Sequence, residues 1–274
     1  MIICNWGTGN LRRFTLGYRF SVHGTGGIAV KGGGGIPTMF NVCLNCGLYR
    51  VDKTVYEPKT YVEARHHDSP ADLHGRPPTA LAACPHCGHL HPFLRLPLLL
   101  VGGASATGKS AILQELTGRF TAAVLLESDL LWSKGFEDPA DGNRSFFETW
   151  LRMAKNINQS GRPAALFGAG LAVPENIEQC VERRYFSQTH YLALVCEEEA
   201  LRHRLLARPA WRKSNEPEQL KAQMDFNRWL QTEGPNQTPQ VAILDTTGAN
   251  VADSAHAVRE WMERALAAGP PHAG

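Results

Sequence analysis

The segment Gly103-Ala-Ser-Ala-Thr-Gly108-Lys109-Ser110 limits what this chain can fold into more than any other stretch of it. It satisfies the pattern G-x-x-x-x-G-K-[ST], follows the apolar run Leu98–Val101, and precedes a helical spacing of Ala111, Ile112, Leu113 and Leu116. A strand that turns through such a loop into a helix aims successive N–H groups and a helix N-terminus at one point, which is how a polyphosphate is held. On this reading Gly103, Ala104, Ser105, Ala106, Thr107 and Gly108 cradle the phosphates. Lys109 then reaches the β- and γ-phosphates, and Ser110 Oγ ligates Mg²⁺.

From about Leu96 onward, short apolar runs alternate with helical segments, which predicts βα units and a parallel sheet. Strands are expected at Leu98–Val101, Ala122–Leu126, Ala164–Phe167, Tyr191–Val195 and Val241–Leu244. Ser145 and Glu148 read as a capping box that opens a helix through about Ile157. Further helices are expected at Glu197–Ala207, Glu218–Leu230 and Ala252–Leu266, the last with Val258, Trp261, Met262 and Leu266 on one face.

The second strand runs into Glu127-Ser-Asp129, 20 residues beyond Lys109. In an open α/β sheet the carboxyl end of that strand borders the phosphate loop. Asp129 is therefore a candidate to take a proton from a substrate hydroxyl or to hold the magnesium hydration shell, with Glu127 sharing the work if the strand extends that far. The alternative is that Asp129 only caps a turn. The third strand ends in Gly168-Ala-Gly170 without an acid, which argues against a motor-type ATPase, and no Asn-Lys-x-Asp segment suggests guanine reading. After the fourth strand a helix leads into the basic, proline-broken Arg208-Pro-Ala-Trp-Arg212. Arg208 and Arg212 suit a mobile lid that clamps phosphate oxygens, while Arg204 reads equally as a clamp or as a surface partner of Glu197–Glu199. Trp132, Phe136, Phe146, Phe147 and Trp150 could stack on an aromatic acceptor or simply pack as core.

The order of phosphate loop, Glu-Ser-Asp129, arginine-flanked lid and a fifth strand ending in Asp245-Thr-Thr-Gly248 resembles the P-loop small-molecule kinases over about Pro97 to Leu266. These include the adenylate, shikimate and gluconate kinases and chloramphenicol phosphotransferase, and the likeness extends to a bacterial group with an N-terminal zinc ribbon. The resemblance implies a P-loop NTPase three-layer α/β sandwich, a five-stranded parallel sheet in the order 2-3-1-4-5, and ATP as donor. It also implies that Thr246, in the loop after the fifth strand, lies near the base. An acceptor pocket would sit between Asp129, the segment Trp132 to Trp150, and Gly168–Leu171. No acceptor-specific signature of those enzymes is present.

Cys43-Leu-Asn-Cys46-Gly47 and Cys84-Pro-His-Cys87-Gly88 supply four thiolates from two tight turns, a set suited to a closed, structural Zn²⁺ site. The glycine after each second cysteine permits a left-handed backbone there. The 37 residues between the pairs exceed the common spacing, and His86, His89 and His91 are substitute ligands. Redox dithiols are the alternative; Cys4, Cys180 and Cys196 stand apart.

Before Asp52 the chain has no acidic residue and is rich in glycine. Residues 1–39 are read as a disordered leader, 40–94 as the zinc-ribbon module and 95–268 as the kinase-like domain; Arg12, Arg13 and Arg19 leave a weak transit-peptide alternative. With 28 Lys+Arg against 26 Asp+Glu, the whole chain has no charge excess that would draw it to nucleic acid or a membrane surface. The longest apolar run, Tyr191–Cys196, is far short of the ~20 residues of a membrane span. A cytoplasmic ATP-dependent phosphotransferase is expected, with a small-molecule hydroxyl or phosphate as acceptor, a nucleoside or nucleotide among the candidates. The competing reading is a zinc-ribbon ATPase or nucleotide-binding regulator that works with nucleic acid or a protein partner.

Overall fold

The structure, a computed structural model, describes residues 41–57 and 79–268, all within one compact unit, Ile36–Gly274. The expected leader at 1–39 and the tail at 269–274 lie outside the described residues. Among those residues no helix is long and apolar enough to cross a membrane.

A short antiparallel sheet comes first, formed by β1 (Thr54–Tyr56), β2 (Ala80–Ala83) and β3 (Leu90–Phe93) in the order β1-β2-β3. The main sheet follows: β4 (Leu98–Gly103), β5 (Val124–Glu127), β6 (Ala164–Phe167), β7 (Thr189–Val195) and β8 (Val241–Asp245). Its order is β5-β6-β4-β7-β8 and every pairing is parallel, so the five strands run 2-3-1-4-5. Helices α1 (Lys109–Leu116), α2 (Arg144–Asn158), α3 (Pro174–Glu178), α4 (Glu198–Leu206), α5 (Pro217–Thr232) and α6 (Val251–Ala267) connect and cover it.

Strand alternation builds the two core layers. Leu98, Leu100, Leu166, Tyr191 and Ala193 join Phe147, Trp150 and Leu151 of α2 on one face. Leu99, Val101, Phe167, Leu192 and Leu194 meet Ile112 and Leu116 of α1 and Val258 and Met262 of α6 on the other. Helices cover both faces of the sheet, so the five strands, edge strands β5 and β8 included, read as continuous apolar runs that the sequence pattern locates.

The capping box does not form. Helix α2 starts after Asn143, which is left-handed at φ 55, and makes no side-chain cap bond. Glu148 instead accepts from Val181 N at 2.5 Å and Glu182 N at 3.2 Å. Two distant orphan donors, at the start of the turn Val181–Tyr185, take the carboxylate in place of the local one.

The cysteine module is tied to the main domain by buried polar groups. Tyr185 Oη donates to Val51 O at 2.5 Å and accepts from Lys53 N at 3.2 Å. Gln159, the residue after α2, bridges Leu94, accepting from its N at 2.9 Å and donating to its O at 3.2 Å. Lys155 of α2, 1% exposed, meets Glu182 and Asn41, and its ammonium lies 4.2 Å from the centre of the Tyr185 ring. Removing one partner of a buried ion pair leaves an uncompensated charge. Glu182→Gln should therefore cost about 3–5 kcal/mol in denaturant unfolding, and the double variant Glu182→Gln/Lys155→Met should recover part of that loss. A single variant with unchanged stability would mean that Lys155 is satisfied without the carboxylate.

Candidate active site

β4 leads into the phosphate loop at Gly103, where a Cβ would lie 2.4 Å from Leu194 O, so the strand can approach β7 there only as glycine. Ala106 stands at φ 67, a left-handed conformation unusual for a residue with a Cβ, so strain is stored in the loop. Lys109 opens α1 and turns its ammonium inward, donating to Gly103 O and Ala104 O, each at 2.8 Å. Burial pulls its pKa down to about 8; Asp129 and Glu127 oppose that fall and Arg208 adds to it.

β5 ends at Glu127, and Ser128–Leu131 is a 3₁₀ turn, so strand alternation does not put Glu127 and Asp129 on one face. They separate instead. Glu127 accepts from Ser110 Oγ, beside the position that would hold Mg²⁺. Asp129 stands one turn further on, its carboxylate making no hydrogen bond among the described residues; only its backbone carbonyl is used, by Trp132 N at 3.1 Å. The Asp129 side chain is thus not a turn cap. The turn is pinned from below by Trp150, fully buried, whose Nε1 donates to Ser128 O at 3.1 Å.

Three arginines approach from the lid side. Arg204 donates to Thr246 O at 2.8 Å and Thr247 O at 2.9 Å and does not pair with Glu197–Glu199. Glu197 caps α4 instead, and Glu198 pairs with Arg228 at 3.0 Å. Arg208 is half-buried; burial and the neighbouring Arg212 pull its pKa below the ordinary arginine value, with Asp129 opposing. Arg212 is exposed and lies 4.4 Å over the Trp211 ring.

Thr246 was expected at the base. It is buried, and its hydroxyl bonds Val195 O at 3.0 Å and Thr107 O at 3.1 Å, so it holds the phosphate loop from behind and is absent from the cavity wall. Gln223 of α5 was not singled out from the sequence. Its Oε1 accepts from Ser105 N at 2.6 Å, occupying one of the loop N–H groups. A glutamine on a helix flank carries no pattern that could have marked it.

Two cavities open around these residues. One, of about 390 Å³, is bordered by the loop from Ser105 to Ser110 and by Arg204 and Arg208. The other, of about 680 Å³, is bordered by Trp132, Phe146, Phe147, Gly170, Leu171 and Asn176. Asp129, Ala169 and Arg212 border both. Of the aromatic cluster, Trp150 is core, Phe136 packs against that core, and Trp132, 48% exposed, walls the larger cavity with Phe146 and Phe147.

In the cysteine module the two turns are alike: Gly47 N donates to Cys43 O at 2.8 Å and Gly88 N to Cys84 O at 2.9 Å, with both glycines at φ 71. The four Sγ atoms lie within 4.8 Å of one another, with Cys43–Cys87 at 3.6 Å and Cys46–Cys84 at 3.9 Å. A tetrahedron with Zn–S bonds of about 2.3 Å has edges of about 3.8 Å, so the donor set fits zinc. These separations are well beyond a disulfide bond. Among the described residues the group that could hold a metal is these four cysteines, without His86, His89 or His91; His91 is buried, which pulls its pKa down to about 4.

No protein-family model and no curated protein matches the chain. Among solved structures it is similar to a sugar kinase from Janibacter sp. HTCC2649, at 16% identity over 63% of this chain and 96% of that one, with a TM-score of 0.45. Shikimate kinase from Acinetobacter baumannii, in complex with shikimate, aligns at 17% identity over 62% and 94%, with a TM-score of 0.41. The tunicamycin resistance protein of Deinococcus radiodurans aligns at 15% identity over 61% and 96%, with a TM-score of 0.41. With its parallel sheet ordered 2-3-1-4-5, its glycine-rich loop after the first of those strands and helices on both faces, the chain has a P-loop NTPase three-layer α/β fold, preceded by a four-cysteine ribbon.

Proposed function

We propose that the chain is an ATP-dependent phosphotransferase acting on a small-molecule acceptor, with Zn²⁺ held structurally by Cys43, Cys46, Cys84 and Cys87. The observation that carries this reading is that Asp129 and Arg212 border both cavities. A donor in the smaller one and an acceptor in the larger would meet at one carboxylate and one guanidinium.

The loop N–H groups and Lys109 bind the β- and γ-phosphates, while Arg204, Arg208 and Arg212 add positive charge on the lid side. Four cations against Asp129 and Glu127 make the smaller cavity a place for a polyanion. Ser110, beside Glu127, would hold Mg²⁺, which when bound would neutralise charge that develops on the phosphates. Asp129 takes the acceptor proton as the acceptor oxygen bonds to the γ-phosphorus; the bond from that phosphorus to the β–γ bridging oxygen breaks, and ADP leaves. Lid closure over the phosphates excludes water, so the phosphoryl group passes to the acceptor.

Incubation with γ-labelled ATP and a panel of alcohols and phosphate esters tests the reading. Label carried onto a small molecule is the expected result. Label released only to water, or released only when nucleic acid is added, would overturn it in favour of an ATPase or regulator.

Nucleotide binding should also move a proton. Lys109, at about 8 in the free protein, is roughly half-charged at pH 8, and a bound polyanion raises its pKa. Binding of an ATP analogue at pH 8 should therefore take up about half a proton, and at pH 6, where Lys109 is already protonated, this group should contribute almost none. Calorimetry in buffers of different ionisation enthalpy measures the uptake, and Lys109→Met should abolish it.

A further inference from the structure

The larger cavity is chemically one-sided. Its wall is aromatic: Trp132 and Phe146 meet edge to face with ring centres 5.1 Å apart, and Phe146 meets Phe147 at 5.4 Å. Among the described residues its only ionisable side chains are Asp129 and Arg212, and both are shared with the smaller cavity. The nearby arginines are engaged elsewhere. Arg144 is held by Asp141 at 3.2 Å and by Gln179 Oε1 at 3.0 Å, and Arg183 by Glu178 at 2.8 Å. An acceptor that brought its own carboxylate or phosphate would face the Asp129 charge with no cation reserved for it.

The remaining polar side chains among the described residues are two amides and the hydroxyl of the buried Ser128. Asn176 Nδ2 donates to Gly170 O at 2.9 Å, and its Oδ1 accepts nothing among the described residues. Asn143 is the complement: Oδ1 accepts from Asp138 N at 2.9 Å, and Nδ2 donates to nothing among the described residues. The cavity thus offers flat apolar faces and, beside the Ser128 hydroxyl, one neutral amide acceptor and one neutral amide donor, with the Asp129 carboxylate and the Arg212 guanidinium where it meets the smaller cavity.

We propose that the acceptor is an uncharged hydroxy compound built on a flat ring with hydrogen-bonding groups at its rim, the chemistry of a nucleoside, and that carboxylates and phosphate esters are excluded. This rests on the phosphotransferase reading for the transfer step but not for binding. The ring stacks on the wall of Trp132, Phe146 and Phe147, its rim pairs with Asn176 and Asn143, and its hydroxyl gives a proton to Asp129 as that oxygen takes the γ-phosphoryl group from ATP and ADP leaves.

Equilibrium dialysis in the presence of Mg²⁺ and a non-hydrolysable ATP analogue tests the binding half. The probes are adenosine and uridine, their 5′-monophosphates, gluconate, and sorbitol, so that charge is varied on one ring and the ring is removed at zero charge. At least one nucleoside should bind at least about tenfold tighter than its monophosphate and than sorbitol, and Trp132→Ala should weaken it by about tenfold while Trp132→Phe retains most of the affinity. A monophosphate or gluconate binding best, no nucleoside binding at all, or Trp132→Ala binding unchanged would each overturn the proposal. A parallel assay with γ-labelled ATP separates the two ideas. A nucleoside that binds without receiving label leaves the acceptor class standing and removes the phosphotransferase, and label found on an acid does the reverse.

Discussion

Asp129→Asn is expected to slow phosphoryl transfer by about 10²–10⁴-fold, the usual range for loss of a general base, while nucleotide affinity stays within about twofold. Asparagine keeps the shape of the side chain and cannot take the acceptor proton. The substitution should be structurally quiet, because the carboxylate makes no hydrogen bond among the described residues and the turn is fixed by backbone contacts and by Trp150. Single-turnover transfer from γ-labelled ATP, with analogue binding measured separately, checks both halves. A rate within about twofold of the parent would show that another group takes the proton. Glu127→Gln offers the contrast: bonded to Ser110 rather than set between the cavities, it should raise the Mg²⁺ requirement more than it slows saturated turnover.

The second large effect concerns the ribbon. Protein prepared without chelator should carry one zinc per chain, and Cys84→Ser or strong chelation should unfold the segments 41–57 and 79–94. Structural zinc contributes apparent binding energies of about 10–16 kcal/mol at neutral pH, more than the two short knuckles and a three-stranded sheet can supply from apolar burial. Loss of the metal would uncover Lys155 and Glu182 together with Phe93 and Tyr185, so the whole unit should melt at lower temperature. Native mass measurement gives the stoichiometry, and Co²⁺ substitution should give the visible absorption of a tetrahedral thiolate site. Because the ligands bind as thiolates, acid should release the metal. A fully folded, metal-free ribbon would dismiss the site.

What could be read from the chain and what could not divide along physical lines. The five main strands are apolar on both faces and interrupted by helical spacing, so composition alone locates them, with ends displaced by one or two residues; β7 starts at Thr189 and β5 at Val124. Strands β1 to β3, at 3 to 4 residues, are too short for alternation to register, and that region reads as loop. The phosphate loop was legible because its chemistry demands residues at fixed spacing. The hold of Thr246 on Thr107 O and of Gln223 on Ser105 N could not be read from the chain, because each hydrogen bond spans more than a hundred residues. Lys155 and Glu182 are each at most 1% exposed, yet charged residues read as surface unless their partners are known, and these two are 27 residues apart and meet each other. Glu148 failed as a cap for the same reason: its better partners were tertiary.

Helix α2 has one end in each half of the molecule: Phe146 and Phe147 wall the larger cavity, and Lys155, about two turns along and ~12 Å away at the helical rise, receives the ribbon together with Gln159 just past the helix end. Energetic effects at that separation are usually additive. Inherited variation can therefore reshape the pocket at one end without disturbing the metal module at the other, so that a lineage could exchange one acceptor for another while the ribbon's docking surface is kept unchanged.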